Sequence, residues 1–583
     1  MDKWDIESLA KEVSLLMDKI ISESIDDRGL TIEDAQKKKE RNKKLSEAMK
    51  NCGVGDKGAK GIVKNYISDI LEDTLQIDKN NINDVINFNK EKSLSIMDKF
   101  DILLLTYQKQ YGYDALKVLI DENKLDDLRK INGEYKYIIT KDDIEKLYFA
   151  KNVELSFEDK LEIISQRIYQ KLKGLGAIDQ IRDMNIDGLS VGVSGIPKDF
   201  LNNAEDVYVN KLNNNILSFS KSFEGIWLYY KGKEIYMNFI SLQSYKELER
   251  VAKNTYRYNL AGELSRDKGS IKVTNADNSR VVVFRPPHAE SWAFFIRKIG
   301  VDVEFKTLLV GKNADKVMKL EGFLAKAYQS MIITGPQGAG KSTHMMGIIK
   351  EMYSIYTLRV WESKFEMNLR VKMPDRNILT IQETPTIDGE KGIDSLKTTN
   401  GAITIIHELA ENKEISYAIK IGDVGSKCIV ASHHSNTFDG IIRSFRNAII
   451  STGLFKTEDS AEEQIVNIIN FNPHLETTPE GFRYLERLTE CIPEDNHYDF
   501  LGSYGKNIPL NEKIEGLIDA TLMYYKMKTK NKKYKAVNIV EYDFEKQEYV
   551  FKNKISDKRI NIIRSRLFEE DRKEFDDLIK EIF

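Results

Sequence analysis

The chain has 583 residues, with 88 lysines and arginines against 91 aspartates and glutamates, and a formal net charge of −3. That balance excludes a protein that holds nucleic acid by bulk electrostatics. No apolar run approaches the roughly 18–20 residues that span a bilayer, and no signal-peptide core follows Met1. Cys52, Cys428 and Cys491 are too far apart for a disulfide framework or a CxxC zinc site, so a soluble intracellular protein is expected.

All ten prolines lie at or after Pro197, which leaves the first third free to form uninterrupted helices. Ile6, Leu9, Val13, Leu16 and Ile20 recur at helical spacing, and further amphipathic stretches cover 62–76, 98–110 and 114–121. Residues 1–155 therefore read as a helical N-terminal domain. Gly53-Val54-Gly55-Asp56-Lys57-Gly58 matches GxGxxG formally but follows a charged helical run, not a strand, and reads as a helix–helix turn. Residues 156–300 carry short β-prone runs (Leu189–Val193, Ile226–Tyr230, Ile235–Phe239, Ile271–Thr274, Arg280–Phe284) between helical patterns, an α+β domain with a surface insertion at 198–222. In residues 301–500 apolar runs at Met331–Thr334, Leu358–Trp361, Ile403–Ile406 and Cys428–Ala431 alternate with helices, the pattern of a mostly parallel α/β sheet. Residues 501–583 read as a C-terminal α+β tail.

The sharpest motif is Gly335-Pro336-Gln337-Gly338-Ala339-Gly340-Lys341-Ser342, which satisfies GxxxxGK[ST] at every fixed position and continues into Thr343. Glycines let successive N–H groups turn inward around phosphate oxygens. Lys341 supplies a point charge for the β- and γ-phosphates, Ser342 a hydroxyl for Mg²⁺, and the helix that follows its positive dipole end. A strand before the loop and a helix after it complete the expected setting, so ATP with Mg²⁺ is the expected cofactor. Hydrolysis further needs a carboxylate to position water and cations to neutralise the transferring phosphoryl group. Glu362 and Glu408 each follow a strand, where the carboxyl ends of a parallel sheet gather on one site, and His433 follows a third. Taken alone, either acid is equally compatible with a structural role, and a lone histidine at that place is more often structural.

Taken in order, the phosphate loop, Glu362, Glu408, Gly425 and His433 resemble the Walker A, Asp-box, Walker B and His-box sequence of the type II/type IV secretion ATPase superfamily, above all its CpaF/TadA-like branch that drives Flp pilus assembly. Gly174-Leu175-Gly176-Ala177-Ile178, Asp277-Asn278-Ser279-Arg280-Val281, Pro286-Pro287, Ile296-Arg297-Lys298 and Gly481-Phe482-Arg483-Tyr484 are similar to further stretches of that branch. The resemblance implies a P-loop NTPase core of RecA-like type, an α+β N-domain and an added all-α domain. It implies that Glu408 orients the attacking water, Glu362 assists Mg²⁺ or water, His433 senses the γ-phosphate, and Arg280 and Arg297 reach the nucleotide as charge-neutralising fingers. It further implies a cytoplasmic homohexamer, peripheral at the inner face of the membrane, pushing on an integral-membrane platform protein, with no direct nucleic-acid contact. Departures from the family pattern are His407 in place of glycine before Glu408, Ala410 in place of arginine, and Ser363 in place of the Asp-box aspartate. They keep open a weakly hydrolysing, nucleotide-gated scaffold, and a conjugation motor for DNA transfer also stays open. The basic runs Lys37–Lys44 and Lys526–Lys535 read as solvated surface or as attraction to anionic lipid headgroups.

Overall fold

A large sheet organises each of two units, Met1–Val301 and Asp302–Phe583, in this computed structural model. The structure describes residues 5–22, 32–151, 153–198, 220–257, 264–265, 267–298, 309–384, 389–396, 399, 401–424, 426–494, 508–529 and 532–583. Most of the expected insertion at 198–222, and Gly425, lie outside the described residues.

In the first unit, strands β1 (Leu128–Ile131), β2 (Glu134–Ile139), β3 (Gly188–Val191), β4 (Ile226–Tyr230), β5 (Lys233–Met237), β6 (Ser270–Thr274), β7 (Arg280–Phe284) and β8 (Ala293–Arg297) run in the order β1-β2-β5-β4-β3-β8-β7-β6. Helices Ile6–Ser22, Ile32–Asn51, Lys57–Asp69, Ile96–Tyr111 and Phe157–Leu172 form on the sequence periodicity, and one hydrophobic cluster joins Leu9 and Val13 to Val283 and Ile296. Ser95 and Ser156 start two of these helices by capping boxes with Asp98 and Asp159, satisfying amides that have no partner inside the helix. The GxGxxG stretch does form a turn between helices, with Gly55 at φ 96°. Residues 128–139 depart from the helical expectation. Asn132 and Gly133 both take positive φ, 53° and 87°, and fold β1 back on β2 as a two-residue hairpin; β2 then pairs in parallel with β5.

In the second unit, strands β9 (Met331–Thr334), β10 (Leu358–Glu362), β11 (Ile378–Gln382), β12 (Ile403–Ile406), β13 (Cys428–His433), β14 (Phe471–Thr477), β15 (Arg483–Pro493), β16 (Tyr534–Asp543) and β17 (Glu548–Phe551) run in the order β11-β10-β12-β13-β9-β14-β15-β16-β17. The pairings from β11 through β14 are parallel, and those from β14 to β17 are antiparallel. Strands β9, β12 and β13 are buried throughout, which matches their predominantly apolar character. With the phosphate loop at the carboxyl end of β9 and helices between the parallel strands, this is a P-loop NTPase core, and the chain is α/β in class.

Strand β14 is interior although it contains Pro473, which has no N–H to give a neighbour. The adjacent Asn472 supplies the missing donor: its side-chain amide reaches Ile332 O at 2.6 Å and Thr334 Oγ1 at 2.9 Å on β9. Residues beyond 500 give β16 and β17 to the same sheet, and helices Asp557–Arg566 and Glu569–Ile582 add Ile563, Phe575 and Leu578 to its core. Among the described residues no helix is long and apolar enough to cross a membrane.

Candidate nucleotide site

The loop between β9 and the helix Lys341–Glu351 carries three positive-φ glycines, Gly335 at 144°, Gly338 at 84° and Gly340 at 91°. At Gly335 a Cβ would be driven into the carbonyl oxygen of Leu475 on β14, so the loop's entry is packed tightly against the neighbouring strand. Gly340 is the N-cap of the helix and brings no side chain to its first amides. Those N–H groups and the dipole behind them remain directed at the cradle. Pro336 and Gly338 are partly exposed, Gln337 is exposed, Ala339 is buried, and Ser342 and Thr343 sit half-buried in the first helical turn.

Lys341 is 9% exposed, and its Nζ donates to Gly335 O at 2.8 Å and Pro336 O at 2.9 Å. Burial lowers its pKa, and the Glu408 carboxylate acts in the opposite sense. The Lys341 Nζ also lies 3.3 Å from His434 Nδ1, and His434 Nε2 is 3.1 Å from Glu408 Oε1. Lysine, imidazole and carboxylate therefore form a chain at the mouth of the loop. Glu408 is set just past β12 by two backbone bonds: His407 N donates to Trp361 O on β10, and Leu409 N to Ser432 O on β13.

Adjacent histidines divide the work. His433, the expected γ-phosphate sensor, ends β13 with Nδ1 on Leu409 O at 2.8 Å and its ring against Phe445. Burial lowers its pKa. His434, one residue on and facing the other way, is the one at hydrogen-bonding distance from Lys341. The acids divide similarly. The Glu362 carboxylate is buried and accepts from the amides of Glu366 (3.2 Å) and Met367 (2.8 Å). It thereby shapes the turn that carries Glu366 to 3.7 Å from His407 Nε2. His407 Nε2 is 2.9 Å from the hydroxyl of Ser342.

Two further residues flank the loop. His474 on β14 meets Thr334 Oγ1 through Nδ1 at 2.8 Å, and its pKa is depressed to about 3 by burial, with Arg487 and Lys341 adding to the effect. Arg483 on β15 runs alongside Gly340, and its Nε is buried without a hydrogen-bond partner. A buried unpaired donor beside a phosphate cradle fits an anionic ligand. The sequence pattern singled out Arg483 only as part of a strand, and nothing in it signalled His434, Glu366 or Arg483 as site residues apart from their nearness to motifs.

In the first unit, Arg280 and Arg297 are directly paired across β7 and β8, and the Arg297 guanidinium lies over the Tyr229 ring at 5.4 Å. The structure thus brings the two arginines together on one sheet, within that unit.

The cradle, its lysine, its uncapped helix and the orphaned Arg483 donor fit a nucleotide polyphosphate; Ser342 with Glu366 and His407 nearby fits a divalent cation accompanying it. Among the described residues no group of three or more His, Cys, Asp and Glu is arranged to hold a metal ion unaided, so the ion would need phosphate oxygens to complete its ligands.

No protein-family model and no curated protein matches the chain. Among solved structures it is similar to the VirB11 ATPase of the Brucella suis type IV secretion system in complex with sulphate, at 13% identity over 53% of this chain and 93% of that one, with a TM-score of 0.27. The Legionella pneumophila ATPase DotB matches at 13% identity over 71% of this chain and 88% of its own, TM-score 0.38. The pilus retraction motor PilT with bound ADP matches at 15% identity over 64% and 90%, TM-score 0.33.

Proposed function

We propose that the protein is an ATP-hydrolysing motor of a type II/type IV secretion or type IV pilus system. The observation that carries the ATPase part is the loop itself: three positive-φ glycines lead into an uncapped helix whose buried Lys341 faces Glu408 across His434. In this reading Lys341 leaves its two carbonyls for the β- and γ-phosphates, and Ser342 holds Mg²⁺, which neutralises charge on the transferring group. Glu408, partly exposed at the mouth, orients water; Glu362 sets the neighbouring turn, and His433 braces β13 behind His434. Arg280 and Arg297 serve as fingers for the nucleotide, whose phosphates Gly335 to Thr343 enclose.

The secretion setting rests on the motif order and on the resemblance to the Flp/Tad branch. The motor would be a homohexamer, cytoplasmic and peripheral at the membrane, acting on an integral-membrane platform protein. Residues 1–155 would be an accessory domain, 156–300 the N-domain, 301–500 the core and 501–583 its appended segment. The test is steady-state ATPase activity of wild type, Lys341→Ala and Glu408→Gln. Wild type is expected to exceed both variants by at least about a hundredfold, the usual worth of a positioned catalytic group. A wild type no faster than either removes the enzyme reading. Tight ATP binding without turnover would instead select a nucleotide-gated scaffold.

A further inference from the structure

We propose that His407 selects the cation of the phosphate loop, entering the ion's ligand shell through Nε2 so that the site prefers a first-row transition-metal ion to Mg²⁺. The inference rests on the nucleotide reading above and concerns only which ion accompanies the phosphates.

Three observations converge on it. His407 Nε2 lies 2.9 Å from Ser342 Oγ. Adjacent vertices of an octahedral ion with bonds of about 2.1 Å are about 3.0 Å apart, so the two atoms already stand at the spacing of neighbouring ligands. The backbone that carries the imidazole is also fixed. His407 is 5% exposed, its backbone N–H donates to Trp361 O at 2.9 Å, and its carbonyl accepts from the Ser432 hydroxyl. Finally, Glu366 Oε2 is 3.7 Å from the same Nε2, which places a carboxylate on the same side as the hydroxyl and the ring.

An ion arriving between Ser342 and His407 exchanges one hydrogen bond for two metal bonds. Serine keeps its proton and donates an oxygen lone pair; ligation takes the neutral ring with its proton on Nδ1, which leaves the Nε2 pair for the ion. Mg²⁺ favours an all-oxygen shell and sheds water reluctantly, whereas imidazole suits the later first-row ions. A glycine at this position, as in the family the sequence resembles, would supply no such ligand.

The experiment uses the full chain with ADP and Mn²⁺ as a paramagnetic probe. Electron spin-echo envelope modulation of the Mn²⁺–ADP complex is recorded with natural-abundance and ¹⁵N-histidine protein. Coupling from a directly bound imidazole nitrogen is expected, changing with the label and absent in His407→Gly and His407→Asn. In parallel, ADP affinity with Ni²⁺ should exceed that with Mg²⁺ by about tenfold in wild type, and the ratio should collapse in both variants. Absence of histidine coupling in a wild type that binds Mn²⁺–ADP overturns the proposal, as does a Ni²⁺/Mg²⁺ ratio the variants leave unchanged. A wild type that binds no nucleotide with either ion removes the phosphate-loop reading itself, and the inference falls with it.

Discussion

Replacing Gly335 by alanine tests whether the loop's geometry is set by its fit against β14. Two costs add. At φ 144° an alanine occupies backbone space that L-residues rarely adopt, a strain of about 1–3 kcal/mol. Its Cβ would also overlap the Leu475 carbonyl oxygen and lie 3.1 Å from the carbonyl carbon. Backbone cannot rotate out of the way as a side chain can, so β9 and β14 must part locally, at about 1 kcal/mol for each ladder bond lost. Together these give about 3 kcal/mol, or roughly a hundredfold faster amide exchange in β9 and β14, at about 1.4 kcal/mol per tenfold. Gly453→Ala is the control: its φ is also positive, 75°, but no atom lies within 4 Å of the added Cβ. It carries only the strain of that φ and should leave exchange in β9 and β14 unchanged. Hydrogen exchange by mass spectrometry over peptides covering 329–335 and 469–477, paired with nucleotide titration, reads both effects. If Gly335→Ala exchanges like wild type and binds nucleotide within threefold of it, the argument from close packing is refuted.

Arg483→Gln should weaken nucleotide binding about tenfold or more, the worth of a charge-assisted hydrogen bond. It should leave the melting temperature nearly unchanged, since the buried Nε has no protein partner to lose. Unchanged affinity in a fluorescent-nucleotide titration would refute the assignment. His474 makes a pH prediction. Its folded pKa, about 3, lies below the ordinary histidine value of about 6.5, so the unfolded chain takes up a proton that the buried ring refuses. The ring's contribution is present in full above pH 6.5 and is lost as pH falls toward 3, at up to about 1.4 kcal/mol per unit. Thermal melts from pH 7 to pH 5 should show the gap between wild type and His474→Gln narrowing with acidification; a constant gap would contradict it.

Much of the core was legible because its strands are short, mostly apolar and bounded by turn residues, as at Met331–Thr334 and Ile403–Ile406. Strand β14 was hidden by Pro473, whose lost donor is replaced by a neighbouring side chain, a compensation no periodicity reveals. The hairpin at 128–139 did carry its signal, Asn132-Gly133, but the helical texture around it masked the turn. The motif residues lie on one loop and the neighbouring strand ends; the pattern chose His433, whereas His434 is the histidine within hydrogen-bonding distance of Lys341. At a strand terminus one residue decides which face a side chain takes. Glu366 and Arg483 depend on pairing and turn geometry, which only the folded sheet supplies.

The self-bonding of Lys341 sets an entry threshold for anions. The Lys341 ammonium is held by Gly335 O and Pro336 O, so an anion must outbid two carbonyls before it gains the charge. A lone orthophosphate spans only part of the row of amides. A polyphosphate can engage the amides along the cradle first and recruit the lysine last, so the loop sorts its guests by valence before any group that reads the base is involved.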